Sequence, residues 1–272
     1  MGAIHFSLDK DLARLLREAL CASVFVETGT FQGDTTAEMQ DTFSRIYTAE
    51  LSEELASRAR IRFSDSPSTT VVQGESPQFL LSLKASFCGE PVLYWLDAHW
   101  CAGSGTAGEV SQCPLLDELA ALKPLNERSA VLIDDARLFL SPPPAPHEIS
   151  KWPRFDEILS RVREVAPAHE ISVLNDVIVV APSVARLPLQ NYAQKNGFDL
   201  LQVASDARDK NKLKRCHADA EKYARSLEKA CEERLEVIDR QVQRISELES
   251  ELTALKKPKP LLARIGAVFF PR

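Results

Sequence analysis

The six cysteines stand alone at positions 21, 88, 101, 113, 216 and 231, and no CxxC pair occurs among them. Structural zinc sites usually bring ligands in close pairs, so the gathering of Cys88, Cys101 and Cys113 around His99 reads as thiols rather than a zinc centre. A chain of 272 residues does not depend on disulfide staples, and reduced thiols in a cytoplasmic protein are expected. Basic excess is also missing: 33 Lys and Arg against 39 Asp and Glu leave a net charge of −6, which argues against a nucleic-acid partner. The opening MGAIHFSLDKDLARLLREAL mixes acids into its apolar residues, so it reads as neither a signal peptide nor a membrane span. Gly2 does not complete a myristoylation signal, because Phe6 stands where Ser or Thr is needed. What remains is an ordinary globular composition, 44% hydrophobic and 26% charged, sufficient for a sizeable core.

Up to about residue 183 strand-like and helix-like segments alternate. The apolar runs are VFVE (24–27), RIYTAE (45–50), TTVVQG (69–74), PVLYWLDA (91–98) and SAVLIDDA (129–136). Helix-like segments at 34–43, 52–63, 76–86 and 114–123 separate them, and a leading helix at 8–20 carries Leu12, Leu15, Leu16 and Leu20 at helical spacing. This order predicts a parallel sheet with crossover helices. HEISVLNDVIVVAPS then offers two β-rich runs joined by Asn175-Asp176, an antiparallel hairpin.

The ten glycines matter most in VFVETGTFQGDTT, residues 24–36. Glu27 closes the first strand, Gly29 permits a tight turn, and Gly33 lets the following helix begin close to a ligand. A dinucleotide fingerprint needs glycine at position 31, where this chain has Phe, so NAD is disfavoured. Glu50 ends the next strand, where a carboxylate can accept ribose hydroxyls. Gly74, Glu75 and Ser76 follow the third strand. Ligands in open α/β sheets lie beyond the carboxyl ends of the strands, so Asp97 and His99 after strand four and Asp134 and Asp135 after strand five converge on that rim. Carboxylates crowded together raise one another's pKa, and a hard divalent cation such as Mg²⁺ relieves this. Alternatively, one acid caps the following helix or meets Arg137.

Five parallel-type strands with a terminal hairpin, and an ExGxxxG turn, resemble the class I S-adenosylmethionine-dependent methyltransferases. The fold so implied is a Rossmann-like α/β sheet of parallel strands plus an antiparallel hairpin. The resemblance implies that Glu27 meets the ligand's methionine amino group and that Gly29, Thr30 and Gly33 form the turn beneath it. It further implies cofactor contacts at Glu50, at Gly74 and Glu75 near the adenine, and at Asp97. One acid after strand four and an acid pair after strand five look like the metal-dependent macrolide sugar O-methyltransferases and their cephalosporin-pathway relatives. That likeness covers roughly residues 20–183. It implies Asp97, Asp134 and Asp135 as ligands of Mg²⁺ or another divalent metal and His99 as the base, although the macrolide enzymes space that acid and histidine one residue wider. The loop CAGSGTAGEVSQCP (101–114), with Glu109, would lie over the acceptor. Trp152 serves either as a sugar-stacking surface or as a buried packing residue. The expected activity is O-methylation of a saccharide hydroxyl. A different small-molecule or protein acceptor, or a non-catalytic assembly role for the fold, are the competing readings.

The composition changes after residues 184–206, which read as an irregular linker between a domain at 1–183 and a charged C-terminal segment. Residues 207–256 contain no Gly or Pro, and Leu227, Cys231, Leu235, Ile238, Val242, Ile245, Leu248, Leu252 and Leu255 step by three or four. This predicts a coiled coil and homo-oligomerisation, with a stammer around 242–248, or else one amphipathic helix packed on its own domain. The tail at 257–272 continues the basic, acid-free KKPKPLLARIGAVFFPR, too short in its apolar part to span a bilayer. Residues 256–272 suit either peripheral contact with an anionic membrane surface or docking on a neighbouring subunit.

Overall fold

A computed structural model describes residues 7–87, 89–100 and 112–256. Gly2, Cys88, Cys101, the loop with Glu109 and the tail at 257–272 lie outside the described residues. The chain divides into two compact units, 1–198 and 199–272.

In the first unit the elements run α1 (Lys10–Leu20), β1 (Val24–Thr28), α2 (Asp34–Met39), β2 (Arg45–Glu50), α3 (Glu53–Arg62), β3 (Thr69–Gln73), α4 (Ser76–Lys84) and β4 (Val92–Leu96). There follow α5 (Leu115–Ala121), β5 (Ala130–Ile133), α6 (Arg137–Leu140), α7 (Phe155–Val165), β6 (Glu170–Leu174), β7 (Val177–Ala181) and α8 (Arg186–Asn196). The seven strands form one sheet in the order β3-β2-β1-β4-β5-β7-β6. All pairings up to β5 are parallel; β7 joins β5 antiparallel and β6 joins β7 antiparallel. This is a methyltransferase-like α/β sheet of parallel strands with an antiparallel hairpin at one edge, as expected.

Side chains alternate between the faces of each strand, so one strand feeds two cores. Val24, Val26, Leu96, Val131 and Ile133 enter one apolar cluster, with Leu119 of α5 and Ile158 of α7. Phe25, Leu93, Trp95 and Leu132 enter the other, with Leu12 and Leu16 of α1 and Met39 of α2. Strands β1, β4, β5 and β7 are buried along their whole length, as interior strands covered on both faces must be. The α1 helix is capped by Asp9, whose side chain accepts from the Asp11 and Leu12 N–H groups. Asn175 and Asp176, at φ 46° and 74°, make the expected tight turn between β6 and β7.

The stretch 184–206 corrects the expectation of an irregular linker. Residues 186–196 are helical, with Leu189 and Tyr192 buried and the Tyr192 hydroxyl donating to Asp9 Oδ2 at 2.8 Å. Pro188 obscures this helix in the sequence, yet it sits in the first turn, where its missing N–H costs nothing.

The second unit contains α9 (Leu200–Lys256), a helix of 57 residues. Its seam side chains are exposed, Leu235 at 58% and Val242 at 58% among them. No described helix is long and apolar enough to cross a membrane.

Candidate active site

The glycine turn is built against two neighbouring strands. Gly29 N–H and Thr30 N–H both donate to the Ala49 carbonyl, at 2.9 and 3.1 Å, and Asp97 N–H donates to the Thr28 carbonyl at 3.0 Å. A Cβ on Gly29 would lie 2.2 Å from the Asp97 carbonyl oxygen, and Gly29 has φ +85°. Glycine is thus required here by the backbone of β4's end as much as by any ligand. Gly33, at φ +81°, faces the Phe63 ring, 2.9 Å from where its Cβ would be.

Glu27 is buried at the end of β1, where it accepts from Thr36 Oγ1 and, at 2.7 Å, from Thr48 Oγ1. Burial pushes its carboxyl up to about 7, the two hydroxyls pulling the other way and Glu50 adding to the rise. Burial disfavours its charged form, which a neighbouring cationic group would stabilise. Thr30 is buried and shares a 2.5 Å hydrogen bond with Thr48. Glu50 braces the turn: Oε2 accepts from Phe31 N–H at 2.8 Å and Oε1 from Ser52 N–H at 2.9 Å. Gly74 N–H donates to the Glu50 carbonyl at 2.9 Å, tying β3's end to the same rim. Nothing lies within 4 Å of where a Gly74 Cβ would be, so there is open space beyond β3. Glu75 is the residue capping α4 and makes no side-chain cap bond. The turn, the buried acid and this space fit a ligand carrying both an ammonium group and a flat base.

Across the rim, His99 Nε2 lies 2.8 Å from Asp135 Oδ2 and 3.7 Å from Asp97 Oδ1. The His99 side chain is only 6% exposed. Burial works against its charge, but the hydrogen bond and charge of Asp135, helped by Asp134 and Glu118, raise its pKa above 6.5 on balance. Asp135 moves the opposite way: burial opposes ionisation, while His99 and Arg137 hold its carboxyl below the usual range. Arg137 Nη1 donates to Asp135 Oδ1 at 2.5 Å and also pairs with Asp176. Asp135 takes φ 54°, an uncommon value for a non-glycine residue, held by Ala136 N–H on the Asp176 carbonyl and Arg137 N–H on Asp176 Oδ1. Asp134 is buried and accepts from Asp135 N–H at 2.7 Å; burial and the neighbouring Asp135 push its carboxyl up to about 7.

Asp97, His99, Asp134 and Asp135 therefore gather on one rim, as expected, with His99 between Asp97 and Asp135 and Asp134 held by a backbone N–H. The metal reading fits these residues poorly. Both Asp135 oxygens are occupied, by His99 and Arg137, and Asp134 Oδ1 is held by a backbone N–H. Among the described residues no three His, Cys, Asp or Glu side chains are grouped to hold a metal ion. Trp152 is buried at 6% exposure, its indole N–H on Gln112 Oε1 at 3.1 Å. Its ring packs 5.6 Å from His99 and 5.5 Å from Phe139, which makes it the wall behind His99 and not a stacking surface.

One member of the site escapes the sequence patterns singled out above. Glu118 of α5 is 2% exposed, in contact with the Thr28 and Ser76 hydroxyls and within the field of His99, and burial raises its pKa. Its Oε1 has no hydrogen-bond partner among the described residues. The signal was present: Leu115, Glu118, Leu119 and Leu122 share one helix face, which puts an acid in an apolar stripe.

No protein-family model matches the chain, and no curated protein does. Among solved structures it is similar to the O-methyltransferase from Bacillus cereus in complex with SAH, at 16% identity and a TM-score of 0.42, over 63% of this chain and 80% of that one. It is also similar to the O-methyltransferase TomG from Streptomyces achromogenes, involved in tomaymycin synthesis and solved with SAM, at 15% identity and a TM-score of 0.41, over 64% of this chain and 79% of that one.

Proposed function

We propose that this chain is an S-adenosylmethionine-dependent O-methyltransferase whose acceptor is a hydroxyl of a sugar or polysaccharide precursor. The observation that carries the reading is the pairing, on one sheet rim, of the Glu27–Gly29–Glu50 turn with a buried Asp135–His99 couple. S-adenosylmethionine, when bound, supplies a methyl group on a sulfonium, with its ammonium held by Glu27 and its ribose by Glu50. Gly74 and Glu75 border the space for the adenine, and Thr30, Gly33 and Asp97 complete the wall.

A sugar hydroxyl is a weak nucleophile near neutral pH and gains from a positioned base. With Nε2–H donated to Asp135, neutral His99 has Nδ1 as its basic atom. Asp135 fixes that tautomer and stabilises the imidazolium that forms as the hydroxyl proton is taken. Arg137 holds Asp135 in place. No step is routed through a metal, because Asp135 is engaged by His99 and Arg137 and Asp134 by a backbone N–H.

The first domain carries this chemistry; α9 serves self-association, and residues 256–272 serve attachment to an anionic membrane surface from the cytoplasmic side. Incubation with methyl-labelled S-adenosylmethionine and separate sugar, phenol and peptide acceptors tests the assignment. Label confined to phenols or peptides would replace the saccharide reading, and label in none of the panel would favour a non-catalytic role.

A further inference from the structure

The apolar seam of α9 begins well before Leu227. Leu213, Cys216, Ala220 and Tyr223 lie on the same spacing, so thirteen positions connected by twelve steps advance 42 positions from Leu213 to Leu255, a mean of 3.5 per step. A long step from Leu227 to Cys231 and a short one from Ile245 to Leu248 offset each other. A net repeat of 3.5 is that of a left-handed two-helix supercoil. The seam is exposed at both ends, Leu213 at 70% and Leu255 at 83%.

The charges beside the seam give the polarity. In a parallel pair, the residue before one seam position faces the residue after the next, five positions on in the second helix. The seam has six three-residue steps, and in three of them the flanking residues are opposite charges: Arg234 with Asp239, Arg244 with Glu249, and Glu251 with Lys256. None of the six joins two like formal charges with His neutral. An antiparallel pair overlapping fully would set Arg234 against its own copy and Glu232 against Asp239.

We infer that the partner of α9 is a second copy of this chain, joined as a parallel, in-register two-stranded coiled coil. This sharpens the self-association reading above and is independent of the methyl-transfer reading, since its readouts need no activity. Parallel register brings each seam residue beside itself, so Cys216 meets the partner subunit's Cys216 and Cys231 the partner subunit's Cys231. Both are free and exposed in the single chain.

The test is sedimentation of the full chain, followed by brief oxidation with copper phenanthroline and mass spectrometry of tryptic peptides. A dimer with Cys216–Cys216 and Cys231–Cys231 links is expected. Asp239→Arg should weaken dimerisation by roughly three- to tenfold, because it sets a second positive charge against Arg234. Ile238→Asp should give a monomer whose sheet domain keeps its thermal unfolding transition. A monomeric wild-type chain overturns the inference. So does a dimer without either homotypic link, or one that Asp239→Arg tightens, since antiparallel pairing would set the introduced charge against Glu232.

Discussion

His99 Nε2 sits 2.8 Å from Asp135 Oδ2, and this hydrogen bond decides in which pH range the histidine can act as a base. Burial opposes the charge on His99, but Asp135 outweighs it and raises the pKa above 6.5, so the neutral, proton-accepting form predominates only at a higher pH than for a free imidazole. Activity should therefore rise with pH through a midpoint above 6.5. Asp135→Asn removes the carboxylate, lowers that midpoint and cuts turnover by roughly 10²–10⁴-fold, the usual worth of an acid–base contribution. A pH–rate profile of the variant checks this; an unmoved midpoint with normal turnover would remove His99 from the mechanism.

The turn at Gly29 makes an equally specific demand. Alanine there would keep φ at +85° and place its Cβ 2.2 Å from the Asp97 carbonyl oxygen. Left-handed backbone and forced displacement together should cost roughly 2–4 kcal/mol of stability. Denaturant unfolding of Gly29→Ala measures it. Gly74→Ala is the contrasting variant: its φ of +154° still strains a side chain, but nothing lies within 4 Å of the added Cβ, so its stability loss should be smaller, with the larger effect on ligand affinity.

Glu27 links stability to pH. Its carboxyl titrates near 7 in the folded chain against 4.5 ordinarily, so the folded state holds a proton that the unfolded state releases between those values. Stability should fall as pH rises from about 4.5 to 7 and level off above, and Glu27→Gln should remove that part of the slope. Thermal unfolding of the ligand-free protein across this range gives the comparison.

How much of this could be read from the chain depends on the range of the interactions. Strands such as VLYWL and VIVVA are continuous apolar runs because both their faces are buried, and that property is local. Asn175-Asp176 marked the hairpin for the same reason, since positive φ at two adjacent residues is a local requirement. The glycine turn was legible, but the physical demand on Gly29 was not. It comes from the carbonyl of Asp97, 68 residues away in sequence. The acids after β4 and β5 were correctly brought to one rim, yet their partners were unreadable. Arg137 meets Asp176 across 39 residues, and Arg137 also donates to Asp135, the partner of His99. The Arg137 partner that the sequence offers for one of these acids is found on Asp135. Helix α8 was hidden by Pro188, whose meaning depends on whether it falls in the first turn or the interior of a helix.

The proposed function rests above all on the β1–β2 rim binding S-adenosylmethionine through an ionised Glu27. Calorimetric titration of the full chain with S-adenosylmethionine at pH 6 and pH 8 tests this most directly. One saturable site per chain is expected, with affinity lower at pH 6 by up to about tenfold because Glu27 must first lose its proton. Absence of binding at both pH values would contradict it.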